Sequence, residues 1–233
     1  MESIPQKLQQ VRHRIALACA RVQRPVESVT LMAVGKTFDA AHLRSAHEAG
    51  QRCFGENYVQ EALAKMDALA DLHIDWHFIG PLQSNKTRAA AERFDWVHSV
   101  DRLKIAQRLS AQRPAARAPL NVCLEVNIDG AASKSGLSPA DLPNVAREVA
   151  TLPGLRLRGL MAVPEPAEGF DAQRMPHRRL RELLDALNRD GMALDTLSMG
   201  MSAGMDAAIA EGATIVRIGT ALFGPRPHVE SPA

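Results

Sequence analysis

Three cysteines in 233 residues, at positions 19, 53 and 123, are too few and too scattered for a disulfide framework. No CxxC pair and no Cys/His cluster occurs, so a zinc site has no support. Long apolar runs are also missing: nothing approaches the roughly 20 residues that a membrane span needs. The start, Met1-Glu-Ser-Ile-Pro-Gln-Lys, lacks the basic head and apolar middle of a signal peptide. Neither sign of charge dominates. With 28 basic against 26 acidic residues the net charge is +2, which argues against a nucleic-acid or membrane partner held by bulk charge. Aromatics make up 4%, with a single tyrosine, and no repeat or low-complexity tract breaks the chain. What remains, at 46% apolar residues, is the composition of one globular domain over residues 1–233, expected in a reducing cytoplasm.

The apolar residues that are present fall into an ordered pattern. Leu8, Val11, Ile15, Ala18 and Val22 recur at helical spacing and predict an opening helix over 4–22. Eight short β-rich runs follow, at 29–34, 53–55, 76–79, 96–100, 120–128, 155–163, 194–199 and 214–218. Amphipathic segments lie between them: 39–49, 57–70, one capped by Asp101 and running to 112, one capped by Ser138 and running to 152, 178–189, and a short one at 203–211. Pro164, Pro166 and Pro176 mark a longer loop after the sixth run. Strand and helix in alternation predict a parallel sheet with right-handed crossovers. Eight units in a chain of this length suit a closed barrel, a single (β/α)8 TIM barrel with an extra N-terminal helix. An open doubly wound sheet is the alternative, but no Gly-x-Gly-x-x-Gly follows the first strand.

In such a barrel the chemistry sits where strands end. Lys36 ends the first run, beside apolar neighbours that solvate an ammonium poorly; its pKa should fall and its amine become a nucleophile suited to Schiff-base chemistry. A lysine snorkelling from a strand end into water is the competing explanation. The seventh and eighth runs end in Ser198-Met-Gly200-Met-Ser202-Ala-Gly204 and Arg217-Ile-Gly219-Thr220, whose hydroxyls and amides suit a phosphate as well as tight turns. An amine and a phosphate cradle on one rim match the aldehyde and phosphate of pyridoxal 5′-phosphate.

Seven ordered motifs carry a resemblance. They are Gly35-Lys36-Thr37, Phe54-Gly-Glu-Asn57-Tyr58, Trp76-His-Phe-Ile-Gly-Pro-Leu-Gln-Ser-Asn-Lys86, Ser133-Lys-Ser-Gly136, Arg158-Gly-Leu-Met161, Leu197-Ser-Met-Gly-Met-Ser202 and Val216-Arg-Ile-Gly-Thr220. From the opening helix to Phe223 the chain resembles the YggS/PROSC family of pyridoxal phosphate homeostasis proteins, similar in fold to the barrel domain of bacterial alanine racemases. The resemblance implies that Lys36 forms the Schiff base and that Asn57 lies beside the ring. It implies that Ser202, Gly219 and Thr220 hold the phosphate, that Ser198 and Gly200 shape their loop, and that Arg217 faces the pyridine nitrogen. Two positions depart from the family pattern. Gly35 stands where serine is common, with an expected effect on cofactor affinity or water access, and Phe38 stands where a basic residue is frequent.

Four further candidates have two explanations each. His77 faces the cofactor ring or is a core histidine; Tyr58 contacts the cofactor or packs at a helix start. Gln83-Ser-Asn85-Lys86 is a partner surface or a helix cap, and Lys134 meets a phosphate at a second site or is a solvated charge. Three classes of function compete. A cofactor protein that stores, buffers or delivers pyridoxal phosphate to apo-enzymes, as a monomer without catalytic turnover, fits the motifs. A low-activity racemase-like enzyme needs one group to remove a proton from one face of the substrate carbon and another to deliver one to the opposite face. In alanine racemases one of these is a tyrosine from a second domain, which the chain is expected to lack. A sugar-phosphate aldolase or isomerase leaves Asn57 and Arg217 unexplained, and no acid/base pair stands near Lys36.

Overall fold

The computed structural model describes residues 2–131 and 134–225. Helix α1 (Ile4–Arg21) starts on a reciprocal cap between Ser3 and Gln6, and its apolar stripe of Leu8, Val11, Ile15 and Ala18 is buried. Strands β1 (Thr30–Val34), β2 (Cys53–Glu56), β3 (Asp75–Phe78), β4 (Trp96–Val100), β5 (Leu120–Glu125), β6 (Leu155–Met161), β7 (Thr196–Ser198) and β8 (Ile215–Ile218) follow in order. Each pairs in parallel with the next, and β8 pairs with β1, closing an eight-stranded barrel. Every strand predicted from the sequence is present within a few residues.

Between them stand α2 (Ala40–Glu48), α3 (Val59–Ala68), α4 (Thr87–Arg93), α5 (Leu103–Gln112), α6 (Leu142–Ala150), α7 (Phe170–Arg189) and α8 (Met205–Ala210), and after β8 comes α9 (Thr220–Phe223). Four details differ from the sequence reading. Asp101 does not cap α5: the cap residue is Arg102, with no side-chain cap bond, and Asp101 instead pairs with the Arg102 guanidinium at 2.6 Å. Ser138 closes the turn before α6 by accepting from the Asp141 amide at 3.1 Å, so the helix itself starts four residues later. Pro176 lies inside α7 rather than in a loop. Its missing N–H removes only one bond from a 20-residue helix whose inner face, with His177, Leu180, Leu184 and Leu187, is buried. Helices α4 and α9 were missed. The Gln83–Lys86 segment leads into α4, with a single 3-10 turn over Ser84–Lys86.

The main core lies between the barrel and its helices. Met32, Cys53 and Ile215 form a smaller cluster of their own, with Ile79 against it. Elsewhere the packing is polar and aromatic: His77 stacks on Trp96 with ring centroids 5.2 Å apart, and Arg158 lies 4.8 Å from the Trp96 ring centre.

Candidate functional site

A cavity of about 260 Å³ opens where the strands end. Its lining comes from six barrel units, four of which carry its polar residues. Val34 ends β1, Lys36 and Phe38 follow it, and Asn57 follows β2. Met201 and Ser202 follow β7, and Arg217, Gly219 and Thr220 come from β8 and its end. Ile79 and Val163 complete the wall. Six of the eight residues singled out in the sequence thus meet on one cavity: Lys36, Asn57, Ser202, Arg217, Gly219 and Thr220. The other two stand behind it. Ser198 is fully buried in β7, and Gly200 shapes the loop from a left-handed φ of 91°. A Cβ at Gly200 would sit 2.5 Å from that of Ala208, so only glycine fits this turn.

Arg217 is held from two sides. Its Nη1 donates to the Ser198 carbonyl at 2.6 Å and hydroxyl at 2.8 Å, and Nη2 donates to the Ala162 carbonyl at 2.8 Å. Its amide also donates to the Gly200 carbonyl at 3.0 Å, tying β8 to the β7 loop. Burial lowers its pKa to about 10, against the opposing pull of Glu125 and Cys123. Burial also raises Glu125, on β5, to about 7; Asp101 adds to the rise and Arg217 opposes it. The guanidinium stays charged at neutral pH.

Lys36 stands in a two-residue turn after β1, partly buried. Phe38 packs against Phe223 of α9 at 5.1 Å between ring centres. An apolar ring, rather than a charge, therefore fills that corner of the site. Gly35 faces away from the cavity: a Cβ there would lie 2.6 Å from Glu56 Oε1 and 3.0 Å from Leu43 Cδ1. A hydroxyl at this position would point behind the turn rather than into the site.

The remaining candidates lie elsewhere. His77 is a core residue, its Nδ1 2.9 Å from His98 Nε2, and burial pushes it down to about 3. Tyr58 is 60% exposed and is not part of the cavity wall. Lys134 is bound to Asp129 at 2.8 Å, Glu165 at 2.9 Å and the Val163 carbonyl at 2.9 Å, an ion-paired loop lysine; its neighbour Ser133 lies outside the described residues. Sequence reasoning missed the apolar walls Val34, Ile79, Val163 and Met201, which carry no chemical signature. It also missed Lys65, Glu56 and Glu61 behind the Lys36 turn.

The site suits a flat, anionic ligand. Apolar walls can sandwich a ring, and glycine and hydroxyl residues line one end. Asn57 Oδ1 is buried with no hydrogen-bond partner among the described residues, an acceptor awaiting a donor.

Comparison with known proteins follows the same lines. The family described as alanine racemase, N-terminal domain, matches residues 6–227. A Pseudomonas aeruginosa protein named "Pyridoxal phosphate homeostasis protein" is 60% identical over 228 residues, covering 98% of each chain. The protein of that name from Escherichia coli K12 is 50% identical over 231 residues, covering 98% of this chain and 99% of its own. Among solved structures, PipY of Synechococcus elongatus, determined with pyridoxal phosphate bound, superposes with a TM-score of 0.84 at 39% identity, covering 95% of this chain and 100% of its own. Clostridium difficile alanine racemase shares the fold alone, with a TM-score of 0.73 at 12% identity over 95% of this chain and 58% of its own. The chain belongs to the alanine racemase N-terminal domain family and, within it, to the pyridoxal phosphate homeostasis proteins.

Proposed function

We propose that this protein binds pyridoxal 5′-phosphate in the barrel-mouth cavity and serves its homeostasis, storing, buffering or delivering the cofactor without turning over a substrate. The observation that carries this reading is the meeting of Lys36 with Ser202, Gly219, Thr220 and Asn57 on one small cavity. When bound, the cofactor supplies an aldehyde able to form a reversible Schiff base with a lysine, and a phosphate that anchors it.

Lys36 is the nucleophile. Ser202, Gly219 and Thr220 hold the phosphate, with Ser198 and Gly200 shaping their loop, and Asn57 accepts from the ring hydroxyl. Arg217 faces the pyridine nitrogen. A guanidinium has donors only, so it cannot hold a proton on that nitrogen, and the ring stays a weak electron sink. Val34, Ile79, Val163 and Met201 would give the ring apolar contacts.

The same lining supports a reading without turnover. Among the described cavity residues, Lys36 and Arg217 are the ionisable ones. Stereoinversion needs a second acid/base group opposite the lysine, and exposed Tyr58 is not positioned for it. The proposal extends to one cofactor domain over 1–233, a monomeric cytoplasmic protein, and pyridoxal-phosphate-dependent apo-enzymes as recipients. No helix among the described residues is long and apolar enough to cross a membrane.

The test is to load the purified protein with pyridoxal phosphate, dialyse it, and assay alanine racemisation. One cofactor retained per chain, with no inversion above that given by free cofactor, is expected. Inversion at enzymatic rates would replace this reading with the racemase-like one.

A further inference from the structure

Lys65 is buried on α3, 5% exposed, at a position where an ammonium needs partners for all its donors. It has three. Nζ donates to the Gly35 carbonyl at 2.7 Å, to Glu56 Oε1 at 2.9 Å and to Glu61 Oε1 at 2.5 Å. Glu61 Oε1 also accepts from the Thr37 amide at 2.7 Å. The carbonyl of the residue before Lys36 and the amide of the residue after it are therefore held by one ion network. None of the three charged side chains lines the barrel-mouth cavity.

The turn needs such support. Thr37 has φ 69°, a left-handed conformation that is uncommon for a β-branched residue and persists only where the surroundings over-determine it. The Glu61 bond to its amide supplies one restraint. The Phe38 amide bond to the Gly35 carbonyl, at 3.0 Å, supplies another, on the oxygen that Lys65 already holds. Glycine at position 35 leaves room for Glu56, since a Cβ would come within 2.6 Å of its Oε1.

We propose that Lys65, braced by Glu56 and Glu61, is a positioning residue that fixes the Lys36 turn and so presents the Lys36 amine to the cofactor aldehyde. The clamp acts through the two peptide groups that flank Lys36. It sets the geometry of covalent capture and leaves the phosphate end of the site, built on the β7 and β8 loops, untouched. This inference rests on the assignment of Lys36 as the nucleophile. Misplacing a reacting group by about 1 Å is enough to cost about a hundredfold in rate.

The experiment compares two ligands on wild type, Lys65→Met, Glu61→Ala, Glu61→Gln and Lys36→Ala. Pyridoxal 5′-phosphate reports covalent capture, followed by absorbance in a stopped-flow instrument. Pyridoxine 5′-phosphate has no aldehyde and reports the non-covalent site alone. Lys65→Met and Glu61→Ala should slow capture by about 10- to 100-fold, while pyridoxine phosphate affinity stays within about twofold of wild type. Glu61→Gln keeps an acceptor for the Thr37 amide and should recover much of the lost rate. Glu61 is partly exposed, so Glu61→Ala tests the idea even if Lys65→Met fails to fold. Capture at the wild-type rate in the clamp variants, or equal loss of both ligands, would overturn the clamp. Persistent covalent capture by Lys36→Ala would instead overturn the assignment of the lysine.

Discussion

The Arg217 guanidinium donates to the Ser198 carbonyl and hydroxyl at 2.6 and 2.8 Å, joining the last two strands beneath the cavity. With the bond to Ala162, three buried acceptors on β7 and the end of β6 depend on one side chain. Arg217→Met removes a charge-assisted set and strands those acceptors. It should cost about 3 kcal/mol in urea unfolding. Arg217→Lys offers a point charge in place of a planar fork and should recover less than half of that.

Gly200 controls the neighbouring loop. Gly200→Ala imposes a side chain on φ 91° and drives its Cβ to 2.5 Å from Ala208. A loss of about 1–3 kcal/mol is expected, together with pyridoxine 5′-phosphate binding weakened about tenfold, equivalent to about 1.4 kcal/mol. Thermal unfolding and a calorimetric titration measure the two effects. Unchanged binding would remove Gly200 from the phosphate loop.

Glu56 gives the pH dependence a definite sign. Burial lifts its carboxyl to about 7, with Lys65 opposing the rise. Its folded pKa lies above its unfolded one, so its contribution to stability is fully present below about pH 4.5 and is lost as pH rises through about 7. Glu56→Gln removes this proton and keeps the shape. Between pH 5 and pH 8 the stability of wild type should therefore fall relative to Glu56→Gln, at up to about 1.4 kcal/mol per pH unit. Paired urea titrations at the two pH values check it.

The buried histidines act in the opposite sense. Burial pushes His77 down to about 3 and His98 well below its ordinary value, with His77 and Arg217 adding to the latter shift. Unfolding lets both take up protons below about pH 6.5, so stability should fall steeply as pH drops from there. His98→Gln should flatten that acid limb in urea titrations between pH 6.5 and 4.5. An unchanged slope would show that these rings are not buried neutral.

The barrel was legible because eight short β-rich runs alternate with amphipathic segments, although only β1 reads as the continuous apolar run of a strand buried on both faces, and β4 and β6 carry polar residues. The site residues were legible for a related reason: lysine, serine and glycine at strand ends are out of place in a core pattern. The clamp was not. Lysine at position 65 of an amphipathic helix reads as a solvent-facing charge, and Glu61 four residues earlier reads as its surface partner. The available signal was register: Lys65 falls beside Ala62 and Met66 on the buried stripe of α3. Pro176 misled for the converse reason, since local propensity marks a break there and the buried face of α7 overrides it.

The account stands on Lys36 as the point of covalent attachment. The most direct measurement is borohydride reduction of the protein with pyridoxal phosphate, followed by peptide mass mapping of wild type and Lys36→Ala. A single reduced adduct on Lys36, absent from Lys36→Ala while weak binding through the phosphate end persists, is the predicted result. An adduct on another lysine, or one spread over surface lysines in both proteins, would contradict it.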